Sequence, residues 1–422
     1  MAPNKSAPSP KLQVQVLNRR LVKASDHHHN KKPRADVVPV SNLDLIPNNY
    51  QASTRSLDFG LAEESLKRIL VPYAADVLLS VQLVSFPCGG FSVAWSNNNL
   101  VLDGNSATRL VRTWSELARS GTGTVAAAAA ALSYDHSALR PRNPPSYGAE
   151  LDEMFTPFDD RHLVNALTAR DSVVERLYYV EASDIARLQA MASGDGPDGQ
   201  QQRASRVQAV SAYLWKSLAA VVAGATSKRA PNKQQATCRM GWWVDARWRV
   251  KSPELRDALR DYVGNVTPYV AVEAAVETIQ QKSMADVAAM VRDAITSVDY
   301  DERVRELVDW VEEHKAQDVV EVATVGLGSP TLSQRVWASF PLDTDFGFGH
   351  AALAMPVWES EGLCTANLVV TAHPGGNTAR GLSAPTCGHG LPLRSRTMSC
   401  GSSSLSRRSF LLSSYSYLAI GD

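Results

Sequence analysis

Residues 88–119 read CGGFSVAWSNNNLVLDGNSATRLVRTWSELAR. In FSVAWS, β-branched and aromatic residues alternate with small polar ones, which predicts a strand with one buried face. In SATRLVRTWSELAR, Leu110, Trp114 and Leu117 recur at helical spacing, which predicts an amphipathic helix. Between them lies a polar loop with three consecutive asparagines, Asn97, Asn98 and Asn99, ending at Asp103-Gly104.

The same mixture extends in both directions. Upstream, VVPVSNLDLI reads as a strand and turn, LAEESLKRILVPY as a helix with Leu66, Ile69 and Leu70 on one face, and VLLSVQLVSF as a strand. Downstream, VERLYYVEA is strand-like and SDIARLQAMA helical, with Ser183 as its expected cap. GDGPDGQQQRAS has no apolar period and predicts an exposed linker. Beyond it, VQAVSAYLWKSLAAVVA is read as a helix, QATCRMGWWVDAR as a strand, VETIQQKSMADVAAMVRDAI and RVRELVDWVEEHK as long helical stretches, and RVWASF and ANLVVTA as strands. Helices interspersed with strands on both sides of the linker predict a two-domain α/β protein. The expected divisions are a polar segment at 1–34, a first domain at 35–193, a crossover linker at 194–206, a second domain at 207–374 and a disordered Ser-, Gly- and Arg-rich tail at 375–422.

The 422-residue chain is 44% hydrophobic and 20% charged, a composition that supports a sizeable core. Its 43 basic and 43 acidic residues cancel, which removes the electrostatic case for nucleic acid or an anionic membrane as main partner. The expected ligands are small molecules. The five cysteines are odd in number, widely spaced and without a CxxC, which argues against zinc and a secreted disulfide framework and for a reducing compartment. MAPNKSAPSPKLQVQVLNRR lacks a signal-type apolar core, and no uncharged apolar run is long enough to span a bilayer, so a cytosolic location is expected. His27, His28 and His29 are adjacent in a polar loop with no further ligand at metal spacing, so no metal is expected.

Several short strings then fall into a colinear order. Cys88-Gly89-Gly90-Phe91, the ending Asp103-Gly104 and the helix residues Trp114, Glu116 and Leu117 resemble the active-site region of the plant BAHD acyltransferases, with their His-x-x-x-Asp-Gly motif. Asp345-Phe346-Gly347-Phe348-Gly349 resembles that family's Asp-Phe-Gly-Trp-Gly motif, with Phe348 in place of Trp. DHSALRPRNPP, VDARWRV, YVGNV, SNLDLI, VPY and AYLWKS resemble further family segments in the same order. The resemblance implies a two-domain coenzyme-A-dependent acyltransferase fold of the chloramphenicol acetyltransferase type. It also implies a crossover loop at the linker and a channel between the domains. The string VPYAAD passes directly into the strand before Cys88, without the Gly-Arg stretch and strands the family carries there, so the first domain is expected to be shortened.

The implied reaction moves an acyl group from an acyl-CoA co-substrate to the hydroxyl or amine of a small acceptor, in a monomer with no tightly bound cofactor. In the family the motif histidine is the general base, because imidazole titrates near neutrality and takes the nucleophile's proton. Asn99 stands at that position here, and a carboxamide has no basic lone pair to do that work. The resemblance implies that Asp103 holds the loop by pairing with an arginine, with Gly104 beside it. It further implies that Asp345 pairs with Arg247 of Val-Asp-x-Arg, and that Gly347 and Gly349 shape a turn. His136 and His350 are the other candidate bases, each more simply read as a surface or hydrogen-bonded residue. Asn99 also opens a second reading, a pseudoenzyme of the same fold that binds a ligand or partner without turnover.

Overall fold

The strand-forming alternation around residue 90 is realised as β4 (Leu79–Ser85) and β5 (Phe91–Asn97), paired antiparallel so that Val81 faces Trp95 and Leu83 faces Val93. The computed structural model describes residues 15–16, 20–23, 34–41, 79–85, 91–97, 102–120, 132–157, 177–178, 182–195, 201–226, 236–317, 319–338, 340, 342, 344–347, 349, 353–357, 364–368, 382–383 and 416–421. Upstream, β1 (Gln15–Val16) and β2 (Arg20–Lys23) both pair with β3 (Arg34–Ser41), and β3 runs parallel to β4. The predicted helix at LAEESLKRILVPY lies outside the described residues.

After β5, helix α1 (Gly104–Ser120) buries Ala107 and Val111 against Val81, Val93 and Trp95, with Leu110 and Trp114 at the edge of that cluster. Leu117, expected on the same face, is 38% exposed because the last turn of α1 runs past the core. Next come α2 (Glu150–Met154), β6 (Phe155–Pro157), β7 (Leu177–Tyr178) and α3 (Ala182–Ala192). Ser183, the expected cap, lies inside the first turn of α3.

The second sheet takes the order β11-β10-β13-β15-β16-β7, built from β10 (Thr237–Trp243), β11 (Tyr269–Ala275), β13 (Thr331–Val336), β15 (Thr365–Leu368) and β16 (Leu382–Ser383). One face of β10 carries Cys238, Met240 and Trp242, all at most 1% exposed, and packs on α4 (Arg206–Thr226). Across the face of α4 behind them lies α7 (Met284–Thr296), which contributes Val287 and Val291 to the same cluster. After α5 (Pro253–Arg260), the single long helical stretch expected from residue 276 onward is in fact α6 (Val276–Gln281) and α7. Ser283 ends one helix and starts the next through a reciprocal capping box with Asp286, so local side-chain chemistry overrode the apolar period. Downstream lie α8 (Tyr300–His314) and β12 (Val319–Glu321), the latter paired with β6.

Two expectations from sequence meet different structure. First, residues 194–206 carry a small hairpin, β8 (Gly194–Asp195) with β9 (Gln201–Gln202), and its flanking helices α3 and α4 pack on each other. Leu188 and Ala192 of α3 share one buried cluster with Ala209, Ala212 and Trp215 of α4, so apolar packing continues across the expected domain boundary. Second, the tail at 375–422 contains β16 and β17 (Ser416–Gly421). The latter inserts between β5 and β14 (Leu353–Val357) and pairs with both edges, which satisfies backbone groups that an open edge would expose. The Ser-rich composition concealed the apolar SYLAIG run that does this. Among the described residues α4 meets the length and apolarity of a membrane span, yet it carries Arg206 and Lys216 and 56% of that window is buried inside the fold. Its Lys216 donates to the carbonyls of Ile279, Gln280 and Lys282 at the end of α6. Of the described cysteines, Cys238 is free, with burial pushing its thiol up to about 11.

Close packing sets one clear stability expectation. A Cβ added at Gly241 in β10 would sit 1.9 Å from the hydroxyl oxygen of Tyr269 and 2.2 Å from its Cζ. That ring is rigid, 7% exposed, and its hydroxyl is 2.7 Å from Ser333 Oγ. Gly241→Ala is therefore expected to lose about 1–3 kcal/mol by overpacking. Equilibrium urea unfolding checks it, and a Tyr269→Ala background is expected to abolish most of the penalty.

Candidate functional site

Asp103 is the first described acidic group after β5 and stands one residue before α1, with 2% exposure. Its Oδ1 accepts the backbone N–H of Ser106 at 2.9 Å, as a residue before a helix start does. Its Oδ2 accepts from Arg247 Nη1 at 2.7 Å and from the backbone N–H of Val266 at 3.1 Å. A single carboxylate thereby ties the start of α1 to the 3-10 turn Ala246–Trp248 and to the loop before β11. Upstream, the Asn97 side-chain amide donates to the carbonyl of Leu102 at 2.9 Å, bracketing residues 98–101. Asn99 itself lies outside the described residues.

Arg247 is fully buried and every donor of its planar fork is engaged. Nε donates to the Tyr262 carbonyl, Nη1 to Asp103 and to Asp245 Oδ1 at 3.0 Å, and Nη2 to Ser106 Oγ and to the carbonyls of Tyr262 and Gly264. Burial works against its charge, but Asp103 and Asp245 outweigh that and hold the guanidinium above its ordinary value. Ser106 Oγ closes the network by donating to the Gly264 carbonyl and accepting the Gly264 N–H. Asn105 adds a bond from its amide to Asp245 Oδ2 at 2.7 Å, leaving its own Oδ1 buried without a partner among the described residues.

The expected Asp345–Arg247 pair does not form. Arg247 has no donor left for it, and Asp345 is a partly exposed residue 3.4 Å from Arg119, at the far end of α1. Asp345 Oδ1 instead accepts the N–H groups of Gly347 at 2.7 Å and Gly349 at 3.1 Å. Those bonds, the Gly347 one foremost, hold its carboxyl below the usual range despite the small opposing effect of burial, with Arg119 assisting. Gly347 (φ 104°) and Gly349 (φ 96°) adopt the left-handed backbone that glycine tolerates, so this turn is architectural. Phe346 meets Trp114 of α1 edge-on at 4.9 Å, while Phe348 and His350 lie outside the described residues.

Gly104 is held for a different reason: a Cβ there would sit 2.8 Å from the Trp337 ring, which follows β13. Trp337 in turn donates from Nε1 to Asn367 of β15 at 3.2 Å. The start of α1 thus abuts one face of the second sheet. His136 is exposed, with Nδ1 2.7 Å from the Tyr262 hydroxyl, a surface-bonded histidine as its loop position suggested. Asp245, Ser106, Asn105, Arg119 and Trp337 were not singled out by sequence; of these only Asp245 carried a signal, its place in Val-Asp-x-Arg.

The profile of the Transferase family matches residues 58–385, most of the chain and both motif regions. The chain belongs to that family, the BAHD acyltransferases. Relatives include anthranilate N-benzoyltransferase protein 1 of Dianthus caryophyllus, 26% identical over 308 residues covering 69% of this chain and 64% of the relative. Putrescine hydroxycinnamoyltransferase 1 of Oryza sativa subsp. japonica is 28% identical over 307 residues, covering 68% and 63%. The chain therefore spans under two thirds of the length of these BAHD relatives. The structure of F. graminearum TRI101, solved with coenzyme A and T-2 mycotoxin, matches with a TM-score of 0.60 at 16% identity, covering 87% of this chain and 82% of that one. The expected coenzyme-A-dependent acyltransferase fold is the one observed.

Proposed function

We propose that this chain transfers an acyl group from an acyl-CoA thioester to the hydroxyl or amine of a small acceptor, slowly because Asn99 occupies the base position. The observation that carries the reading is the family match across 58–385, which contains both motif regions. The relatives' names, a benzoyltransferase to anthranilate and a hydroxycinnamoyltransferase to putrescine, point to aromatic acyl donors and amine acceptors as the first substrates to try.

In this reading the chain's own groups divide the work. Asp103, bound on both oxygens, is a positioning residue that fixes the end of the loop. Asn99 offers hydrogen bonds but no proton acceptor, so transfer relies on proximity of the bound acceptor and thioester, with the amide NH2 available to an oxyanion. When the acceptor oxygen or nitrogen adds to the thioester carbon, the carbon–sulfur bond breaks, the thiolate of coenzyme A leaves, and the acceptor's proton passes to it or to water. The chain is read as a cytosolic monomer that needs no bound cofactor.

The test is to incubate the purified protein with benzoyl-CoA or a hydroxycinnamoyl-CoA and a panel of amines and alcohols, and to follow free thiol. Turnover above a boiled control supports the reading. Asn99 itself favours a second one, a pseudoenzyme, and coenzyme A binding without thiol release would select it.

A further inference from the structure

The first sheet takes the order β1-β3-β4-β5-β17-β14, so β17 is an inner strand and β14 an edge. Among the described residues β14 pairs with no strand but β17, and it carries Pro356, whose missing N–H suits an edge. The register sets Ala419 opposite Val93 on one side and Ala354 on the other. Val93 and Ala354 nevertheless share one buried cluster with Val81 and Trp95. Two ladder spacings, about 9–10 Å, lie between β5 and β14, so the gap that β17 fills is one strand wide, with backbone donors and acceptors on both walls. Each wall belongs to a motif region: β5 runs into the loop that Asn97 brackets through the Leu102 carbonyl, and β14 follows the turn built on Asp345. In sequence β17 is remote from both, with residues 384–415 separating it from β16.

We infer that the slot between β5 and β14 is a binding site for one extended peptide strand, filled by the chain's own residues 416–421, and that this strand clasps the two motif regions together. A strand added between two others satisfies the main-chain groups of both walls, so its affinity comes from ladder bonds rather than from any one side chain. The lengths match: Tyr417–Gly421 pair with β5 and Ser416–Ile420 with β14, so every residue of β17 is used. Without it β5 keeps its ladder to β4, whereas β14 keeps none among the described residues. The sheet should therefore open at this seam before the second sheet does, since β10 there is paired on one side with β11 and on the other with β13. The inference does not depend on acyl transfer, and its failure leaves the reading of the activity where it stands.

Hydrogen exchange of the full chain in increasing urea, read by mass spectrometry, is the first test. Residues 353–357 are expected to lose protection together with 416–421, at a urea concentration below the one that exposes 237–243 of β10. Protection of 353–357 that outlasts that of 416–421, or loss of all three stretches in one step, would overturn the clasp. Ala419→Pro then frees the slot in a full-length chain, because proline in an inner strand removes a ladder bond. That variant should lose protection at 353–357 and keep it at 237–243. An excess of the synthetic peptide SYSYLAIGD, residues 414–422, should restore it, and the same peptide carrying Ala419→Pro should not. No effect of the peptide on a variant that keeps 237–243 protected would overturn the binding site. Should the variant fail to fold, the urea series on the wild type decides. A wild type that is dimeric by light scattering and loses protection of 353–357 on dilution would assign the strand to a second copy and overturn the filling in cis.

Discussion

Arg247→Met is expected to lower the free energy of unfolding by about 3–5 kcal/mol, the cost of removing one partner from a buried ion pair. The reason is what it leaves behind. Asp103, 2% exposed, and Asp245 would face each other without a cation, and the carbonyls of Tyr262 and Gly264 would lose their donor. Arg247→Lys is expected to recover only part of the loss, because an ammonium has three donors and no planar fork to serve acceptors on three different segments. Asp103→Asn should cost less than either, since Asp245 still neutralises the guanidinium. Urea unfolding followed by circular dichroism measures all three. A loss under about 1 kcal/mol for Arg247→Met would show that the pair is not buried as described.

The second large effect is on rate. Asn99→His is expected to raise kcat/KM for acyl transfer about a hundred- to ten-thousand-fold, the usual contribution of a positioned general base. The accompanying pH profile carries the sign. A base must be deprotonated to accept a proton, so the variant's activity should rise with pH through about 6.5, the ordinary range of imidazole. The wild type should show no such inflection from residue 99, because a carboxamide does not titrate there. An inflection near 6.5 already present in the wild type would point to another histidine, and His136→Gln would then be the variant to examine. No gain in Asn99→His, in a protein that binds coenzyme A, would mean that more than the base is missing.

Much of the fold was legible because its strands and helices carry strong periods. The strand at FSVAWS, the helix beginning near Gly104, and the α4 and α8 helices lie where apolar spacing put them. What escaped were features decided by side chains far apart in sequence. Spacing cannot reveal that Arg247 is saturated by Asp103, Asp245, the Tyr262 and Gly264 carbonyls and the Ser106 hydroxyl, so the Asp345 pairing implied by resemblance was assigned to the wrong arginine. Nor does the period within VETIQQKSMADVAAMVRDAI show a break, which depends on the Ser283–Asp286 capping box. The β17 strand was missed because a Ser-rich neighbourhood masks six residues that matter only when two strand edges wait for them.

The hairpin at 194–206 bears on how the molecule could be divided. Because α3 and α4 on either side of it bury Leu188, Ala192, Ala209 and Trp215 together, a protease nick in that turn would cut the chain without parting the pieces. Two fragments made separately with ends there would each present half of a matching greasy seam, and would be drawn to reassemble rather than to behave as independent modules.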